Sequence, residues 1–254
     1  QISGADNTLR DWQHIADIAL QNREVAAAAP YVSAQGLWSS GNAVRGAYIR
    51  GIVPQAEEKV ADLARHMKTG SLDALKPGEF SVVLGIELAR SLGATVGDKV
   101  VLIAPQGQVT PAGILPRLRQ FTVVGIFAVD HYEYDSGLAL LHMEDAQKLY
   151  RMDDTVSGVR LRLDDLFEAP RVARQLAAGI SSDAYVTDWT RSHANFFRAV
   201  QIEKNVMFII LMLIVAVAAF NIVSTLVMAV TDKRADIAIL RTLGATPGSI
   251  MKIF

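Results

Sequence analysis

Few residues in this sequence have the types and spacing that catalytic chemistry needs. Residues 36–41 have the glycine spacing of a nucleotide phosphate-binding loop, but Asn42 stands where that loop needs its lysine, so the phosphates would lose their main charge partner. None of the five histidines is followed by a second histidine three or four positions later. The absence of cysteine excludes disulfides and thiolate-bound zinc or iron–sulfur clusters.

Acidic side chains form three short groups. Residues 131–135 combine acids with aromatic rings, but their place between two predicted strands favours an exposed turn, with a docking surface as a second interpretation. The aspartate pairs at 153–154 and 164–165 fall in predicted loops with nothing nearby to organise a metal cage. The net charge of −1, from 25 basic and 26 acidic residues, disfavours a nucleic-acid partner. The sequence therefore predicts no catalytic residue and no metal site.

One uncharged apolar run dominates the C-terminal part of the chain. Residues 206–230 would form a helix about 37 Å long, at ~1.5 Å per residue, which is enough to cross a bilayer. Positive charge follows the run, and the positive-inside rule then predicts that the C-terminal end is cytoplasmic; these residues are Lys233, Arg234, Arg241 and Lys252. Residues 1 to about 203 would lie outside the cytoplasm, which requires an earlier membrane crossing upstream of Gln1.

Helical and strand-like patterns alternate through the external segment. This mixed order predicts an α+β domain in two lobes. We place the external domain at residues 1–203, the membrane helix at 204–230 and a cytoplasmic segment at 231–254.

A sixteen-residue connection, residues 105–120, joins two predicted antiparallel strands. That is long for a hairpin connection, and Pro105, Pro111 and Pro116 would stiffen it. A long, stiff, partly apolar loop suits the docking of a partner protein, and the alternative is a loop that folds back onto its own domain.

The segment after the membrane run predicts two short helices at the membrane surface. Gly244 can end the first helix, and Thr246 followed by Pro247 is a helix start signal. Such an element could transmit force from a soluble motor, or it could be a simple connector.

Several stretches carry a family resemblance. Residues 236–247 resemble the signature that follows the second membrane helix of MacB/FtsX-type ABC permeases, and the glycine and leucine pattern of residues 85–100 resembles their periplasmic core domain. Residues 110–127, 132–152 and 196–204 resemble the lipoprotein-releasing permeases of the LolC/LolE family. The resemblance covers nearly the whole chain.

The resemblance implies a bacterial inner-membrane permease with four membrane helices, of which this chain holds the second. Two permease subunits, the other LolE-like or identical, would join an ATPase, LolD. ATP and magnesium would bind the ATPase, with no cofactor on this chain. The complex would pass acylated lipoproteins to a periplasmic carrier, LolA.

The resemblance also implies roles for three groups of residues. A hook that grips the carrier, typical of a LolC-type or hybrid chain, maps onto Thr110, Pro111, Gly113, Ile114, Leu115, Pro116, Arg117 and Arg119. Coupling to the ATPase maps onto Arg241, Leu243, Gly244, Ala245, Thr246 and Pro247. A lipoprotein cavity could be lined by Met207, Phe208, Leu211 and Met212, which could instead simply face lipid. The alternatives are a MacB-like export permease and an FtsX-like regulator of a periplasmic hydrolase.

Overall fold

Strand pairing organises the first of two compact units in this computed structural model, which describes residues 1–110, 113–180, 184–192 and 194–253. Unit 1 runs from Gln1 to Ser192 and unit 2 from His193 to Phe254. The predicted boundary near residue 203 lies inside unit 2, because one continuous helix carries the chain across that position.

Ten strands in the described part of unit 1 join in one mixed sheet. Their bounds are β1 Ile2–Gly4, β2 Val25–Ser40, β3 Ala43–Ile52, β4 Met67–Gly70, β5 Ser81–Gly85, β6 Lys99–Thr110, β7 Gly113–Phe127, β8 Leu138–His142, β9 Gly158–Leu163 and β10 Ala184–Val186. The pairs β3–β8 and β5–β7 are parallel, and the other pairs are antiparallel.

Six of these strands close into a ring. The pairings run β2–β3–β8–β5–β7–β6, and β6 pairs back onto β2 through Leu37–Ile103 and its neighbours. Closing a sheet in this way removes exposed edges and encloses one set of alternating side chains. Trp38 and Phe121 belong to that enclosed set, with ring centroids 5.4 Å apart in an edge-to-face arrangement.

The alternation of side chains divides the buried residues into two clusters. Val82 and Leu84 of β5 join the large cluster with Trp38, whereas Val83 between them joins a small cluster with Phe127. Successive side chains of a strand point to opposite faces, so the two clusters lie on the two faces of β5. The predicted α+β class is confirmed, and the two lobes take the form of two cores on one continuous sheet.

Short helices connect the strands of unit 1. They are α1 Trp12–Leu20, α2 Pro54–Val60, α3 Ile86–Leu92, α4 Tyr132–Gly137, α5 Met143–Tyr150, α6 Ala169–Gly179 and α7 Trp189–Ser192. α3 ends at Gly93, with the left-handed φ of +63° that glycine tolerates. Residues 131–134 are exposed as predicted, but α4 begins at Tyr132 in place of a simple turn, and the buried Asp135 carboxylate accepts a hydrogen bond from the Val129 amide at 2.9 Å.

The described residues of unit 2 form three helices joined by short turns. α8 spans Ala194–Asp232, α9 spans Arg234–Thr242 and α10 spans Pro247–Ile253. Within α8, the stretch Arg198–Asp232 is long and apolar enough to cross a membrane, with a mean hydropathy of 3.0 over its most apolar window. The predicted pair of short helices after the membrane run is confirmed.

Candidate functional site

The segment predicted as a long loop, residues 105–120, is instead part of a long β-hairpin. β6 continues to Thr110 and β7 starts at Gly113, so the two strands stay paired almost to the turn. The regular ladder is interrupted once, between the rungs Ala104–Arg117 and Gln108–Leu115, where residues 105–107 face Pro116 alone. Proline cannot donate to a ladder, and a bulge is where the missing N–H costs least. The prolines therefore mark a bulge within the strands.

The outer half of this hairpin, residues 104–117, pairs only with itself among the described strands. β6 contacts β2 through Val101 to Ile103, and β7 contacts β5 from Thr122 onward. We call residues 104–117 the arm. The ring of six strands supports the arm at its base, and the outer edges of its two strands have no described strand beside them.

Side chains at the base of the arm have defined partners. The Arg117 guanidinium donates to the Leu149 carbonyl at the end of α5, at 2.9 Å, while its Nε is buried without a described hydrogen-bond partner. Arg119 stacks over the Phe80 ring, with 3.6 Å from Cζ to the ring centroid. Arg117 thus faces the domain and Arg119 covers an aromatic surface.

The last turn of α5 also reaches β2. The Tyr150 hydroxyl donates to the Gln35 carbonyl at 3.0 Å, and burial raises the pKa of that phenol well above its ordinary value. Arg117 and Tyr150 together connect the end of α5 to the strands on either side of β6.

The structure describes all but one of the remaining predicted hook residues. Pro111 lies outside the described residues. The backbone of Thr110, Gly113, Ile114 and Leu115 lies in the outer arm, and Pro116 is exposed at the bulge.

An exposed apolar row was missed by the sequence reasoning. The register places Gly46, Leu37, Ile103 and Leu118 side by side across β3, β2, β6 and β7. Leu118 is 62% exposed, and a groove of about 470 Å³ is lined by the other three together with Tyr48 and Pro105. The alternation of side chains along one strand predicts such a row only weakly. The row becomes visible only when the register of all four strands is known.

Four predicted cavity residues share one face of α8. Met207, Phe208, Leu211 and Met212 follow the i, i+1, i+4, i+5 spacing of neighbouring helical positions, and all four are exposed. Further along the span, the Thr225 hydroxyl donates to the Asn221 carbonyl at 2.9 Å, so that hydroxyl is satisfied inside its own helix.

The predicted coupling residues form the turn between α9 and α10. Arg241 lies in the last turn of α9, and Gly244 has a φ of +87°. The Thr246 hydroxyl accepts from the Ser249 amide at 3.4 Å, which caps α10 ahead of Pro247. Leu243 is 78% exposed, so this turn leaves one large apolar side chain uncovered.

Two family models match the chain. The MacB-like periplasmic core domain matches residues 2–178, and the FtsX-like permease C-terminal model matches residues 208–254. The first match covers most of unit 1 and includes the whole arm.

Named relatives share identity along the whole chain. The lipoprotein-releasing system transmembrane protein LolC of Neisseria meningitidis serogroup B is 51% identical over 255 residues, covering 100% of this chain and 61% of that protein. LolC of Xylella fastidiosa strain 9a5c is 49% identical, covering 100% and 61%, and LolE of Haemophilus influenzae is 32% identical, covering 99% and 60%. The chain spans about three fifths of the length of these relatives. It therefore belongs to the MacB/FtsX-type permeases and, among them, to the LolC/LolE family of lipoprotein-releasing transmembrane proteins.

Proposed function

We propose that this chain is a membrane subunit of an ATP-driven complex that extracts lipoproteins from the bacterial inner membrane and hands them to the periplasmic carrier LolA. The observation that carries the proposal is the arm, a paired ribbon that leaves the six-stranded ring and pairs with no other described strand. The relatives that are about half identical over the aligned residues are named LolC, which favours the carrier-binding type of subunit.

The arm is suited to a partner built from β-strands. Its two outer edges carry backbone amides and carbonyls that no described strand satisfies, and strand addition is a common way to bind such edges. The contacts to the carrier would come from Thr110, Pro111, Gly113, Ile114, Leu115, Pro116 and Arg119.

Removing the arm tests this proposal without disturbing the ring. Ala104 and Arg117 form a rung, so replacing residues 105–116 with Asn-Gly closes the hairpin with a favoured two-residue turn. The full chain in nanodiscs should lose binding to LolA, while its thermal transition stays close to the parent's. A shortened chain that still binds LolA with the parent's affinity would refute the role of the arm.

The same experiment separates the alternatives. A MacB-like export permease would show no LolA binding before or after the change. An FtsX-like regulator is disfavoured because the external domain it needs is much smaller than the 192 residues of unit 1.

We place unit 1 in the periplasm and α9 with α10 in the cytoplasm. Positive charge after the span supports this orientation, since Lys233, Arg234, Arg241 and Lys252 outnumber the nearby acids. A membrane-impermeant maleimide added to the periplasmic side should label Glu58→Cys in intact cells. The same reagent should label Met251→Cys only after the inner membrane is permeabilised.

Coupling to the ATPase would use the turn between α9 and α10, with ATP and magnesium bound by LolD. Leu243 is the exposed apolar contact that a soluble partner could cover. Leu243→Glu should lower lipoprotein release and LolD co-purification together, and Met251→Glu, an equally exposed position on α10, serves as the matched control.

Acyl chains would lie against the face of α8 that carries Met207, Phe208, Leu211 and Met212. Each buried CH₂ contributes about 0.8 kcal/mol, so a multiply acylated substrate needs a long apolar surface on its way out of lipid. Photo-crosslinking groups at Met207 and Leu211 should capture lipoprotein in the complex with LolD and the second permease, which is LolE-like or identical. Crosslinks to phospholipid alone would refute this role.

A further inference from the structure

We infer that Arg117 is a positioning residue, which sets the direction of the arm by fastening its base to the end of α5. This inference rests on the proposed function only for what the arm binds. The part that concerns the direction of the arm depends on unit 1 alone.

The first observation is where Arg117 lies in the ladder. The rung Ala104–Arg117 is the last regular one before the bulge, where residues 105–107 face Pro116. Beyond that rung the register shifts across the bulge before pairing resumes at Gln108–Leu115, and neither strand has another described strand beside it. The direction in which the arm leaves the ring is therefore decided at this rung.

The second observation is what Arg117 contacts there. Its guanidinium donates to the Leu149 carbonyl at 2.9 Å, and the last carbonyls of a helix have no partner within the helix. A cation at a helix C-terminus is also favoured by the helix dipole. The buried Nε of Arg117 has no described partner, so the side chain is held inward at the cost of one unsatisfied donor.

The third observation is that α5 is itself fastened on the other side of β6. The Tyr150 hydroxyl bonds to the Gln35 carbonyl of β2, two residues before Leu37 pairs with Ile103. The end of α5 thus bridges the neighbours of β6 next to the bulge. A side chain with no effect on the direction of the arm would not need the part-buried hydrogen bond from Arg117 to Leu149.

Distance measurements in the full chain test the inference directly. Because the sequence has no cysteine, Thr110→Cys and Asp17→Cys can be spin-labelled alone, and their distance distribution measured by double electron–electron resonance. A reference pair at Asp17 and Glu58 reports on unit 1 without the arm. The variants are Arg117→Met, Arg117→Lys, which keeps a donor for Leu149, and the control Arg174→Met on α6.

The expected result is a broadened or shifted distribution between Thr110 and Asp17 in Arg117→Met, with the reference pair unchanged. Arg117→Lys should restore most of the parent distribution, and Arg174→Met should match the parent. If one molecule in ten then keeps a binding-competent arm, affinity for LolA falls about tenfold in unlabelled chains.

Two results would overturn the inference. One is an unchanged arm distance in Arg117→Met, and the other is a broadening of both pairs, which would make Arg117 a general stabilising residue. If the arm distance alone changes and no chain binds LolA, including the parent, then Arg117 positions the arm as inferred and the carrier proposal fails.

Discussion

A buried ion pair between α2 and β9 makes a quantitative prediction about the stability of unit 1. The Glu57 carboxylate pairs with the Arg160 guanidinium across 103 positions of sequence. The Glu57 side chain is 0% exposed and its Oε2 has no described hydrogen-bond partner, whereas the Arg160 side chain is 27% exposed. The buried Glu57 carboxylate therefore depends on Arg160 more than the half-buried Arg160 guanidinium depends on Glu57.

Removing Arg160 should cost far more than neutralising Glu57. Arg160→Met leaves a fully buried carboxylate without its ion-pair partner, with only the longer-range charge of Arg50 near it, and breaking such a pair typically costs about 3–5 kcal/mol. Glu57→Gln leaves an arginine that can reach water and an amide oxygen that can still accept, so we expect about 1–2 kcal/mol. A domain of this kind has roughly 5–15 kcal/mol in total, so the first change removes a large share of it.

Urea unfolding of residues 1–192, monitored by tryptophan fluorescence, measures these changes in the free energy of unfolding. The double variant Glu57→Leu with Arg160→Met removes both charges, and apolar replacement of a whole buried pair is often close to neutral. It should therefore lie within about 2 kcal/mol of the parent and above Arg160→Met alone. The reasoning is refuted if Arg160→Met costs less than about 1 kcal/mol, or if the double variant costs as much as Glu57→Leu and Arg160→Met measured singly and added together.

Three further predictions follow from single side chains. The His142 Nδ1 accepts a hydrogen bond from the Glu144 amide at the start of α5, and burial lowers the pKa of this imidazole below 6.5. The contribution of His142 to stability is therefore full above pH 6.5 and is lost as the pH falls through the lowered pKa. His142→Asn should flatten the pH dependence of the urea midpoint. Phe121→Ala, which empties the site beside Trp38, should cost about 3–5 kcal/mol in the same assay, while a loss below 1 kcal/mol would contradict its central place in the ring. Gly244→Ala should lower the helicity of a peptide spanning residues 233–253 by circular dichroism, because a φ of +87° strains any residue with a Cβ; Gly248→Ala on α10 should raise it.

Local signals predicted the elements that local physics decides. The proline-led start of α10 and the uncharged run of α8 each depend on a few neighbouring residues, so both appeared directly in the sequence. Long-range strand pairing decides the structure where it opposes such local patterns. Residues 55–67 have helical spacing, yet α2 ends at Val60 and Met67 pairs with Phe127 of β7, because strand pairing outweighs a modest propensity.

The arm was the most informative failure. Prolines normally mark loops, and Pro105 and Pro116 favour a loop by that criterion. They lie at the one interruption of the ladder, where a missing N–H does no harm. The inward contact of Arg117 with Leu149 was equally invisible, because it depends on α5 lying beside a strand 32 positions earlier in the chain.

The architecture also explains why an arm can leave the ring without a hinge loop. β6 and β7 close the ring with their inner halves, between Lys99–Ala104 and Arg117–Phe127, and form the arm with their outer halves. The residues that close the ring are buried on one face, including Leu102 and Phe121, so the base of the arm is as stable as the core that surrounds it. We expect any movement of the arm relative to the ring to occur at the bulge and at the contact between Arg117 and Leu149. Changes at the bulge should alter what the arm reaches while the stability of the ring is preserved, whereas changes at Leu102 or Phe121 should lower both.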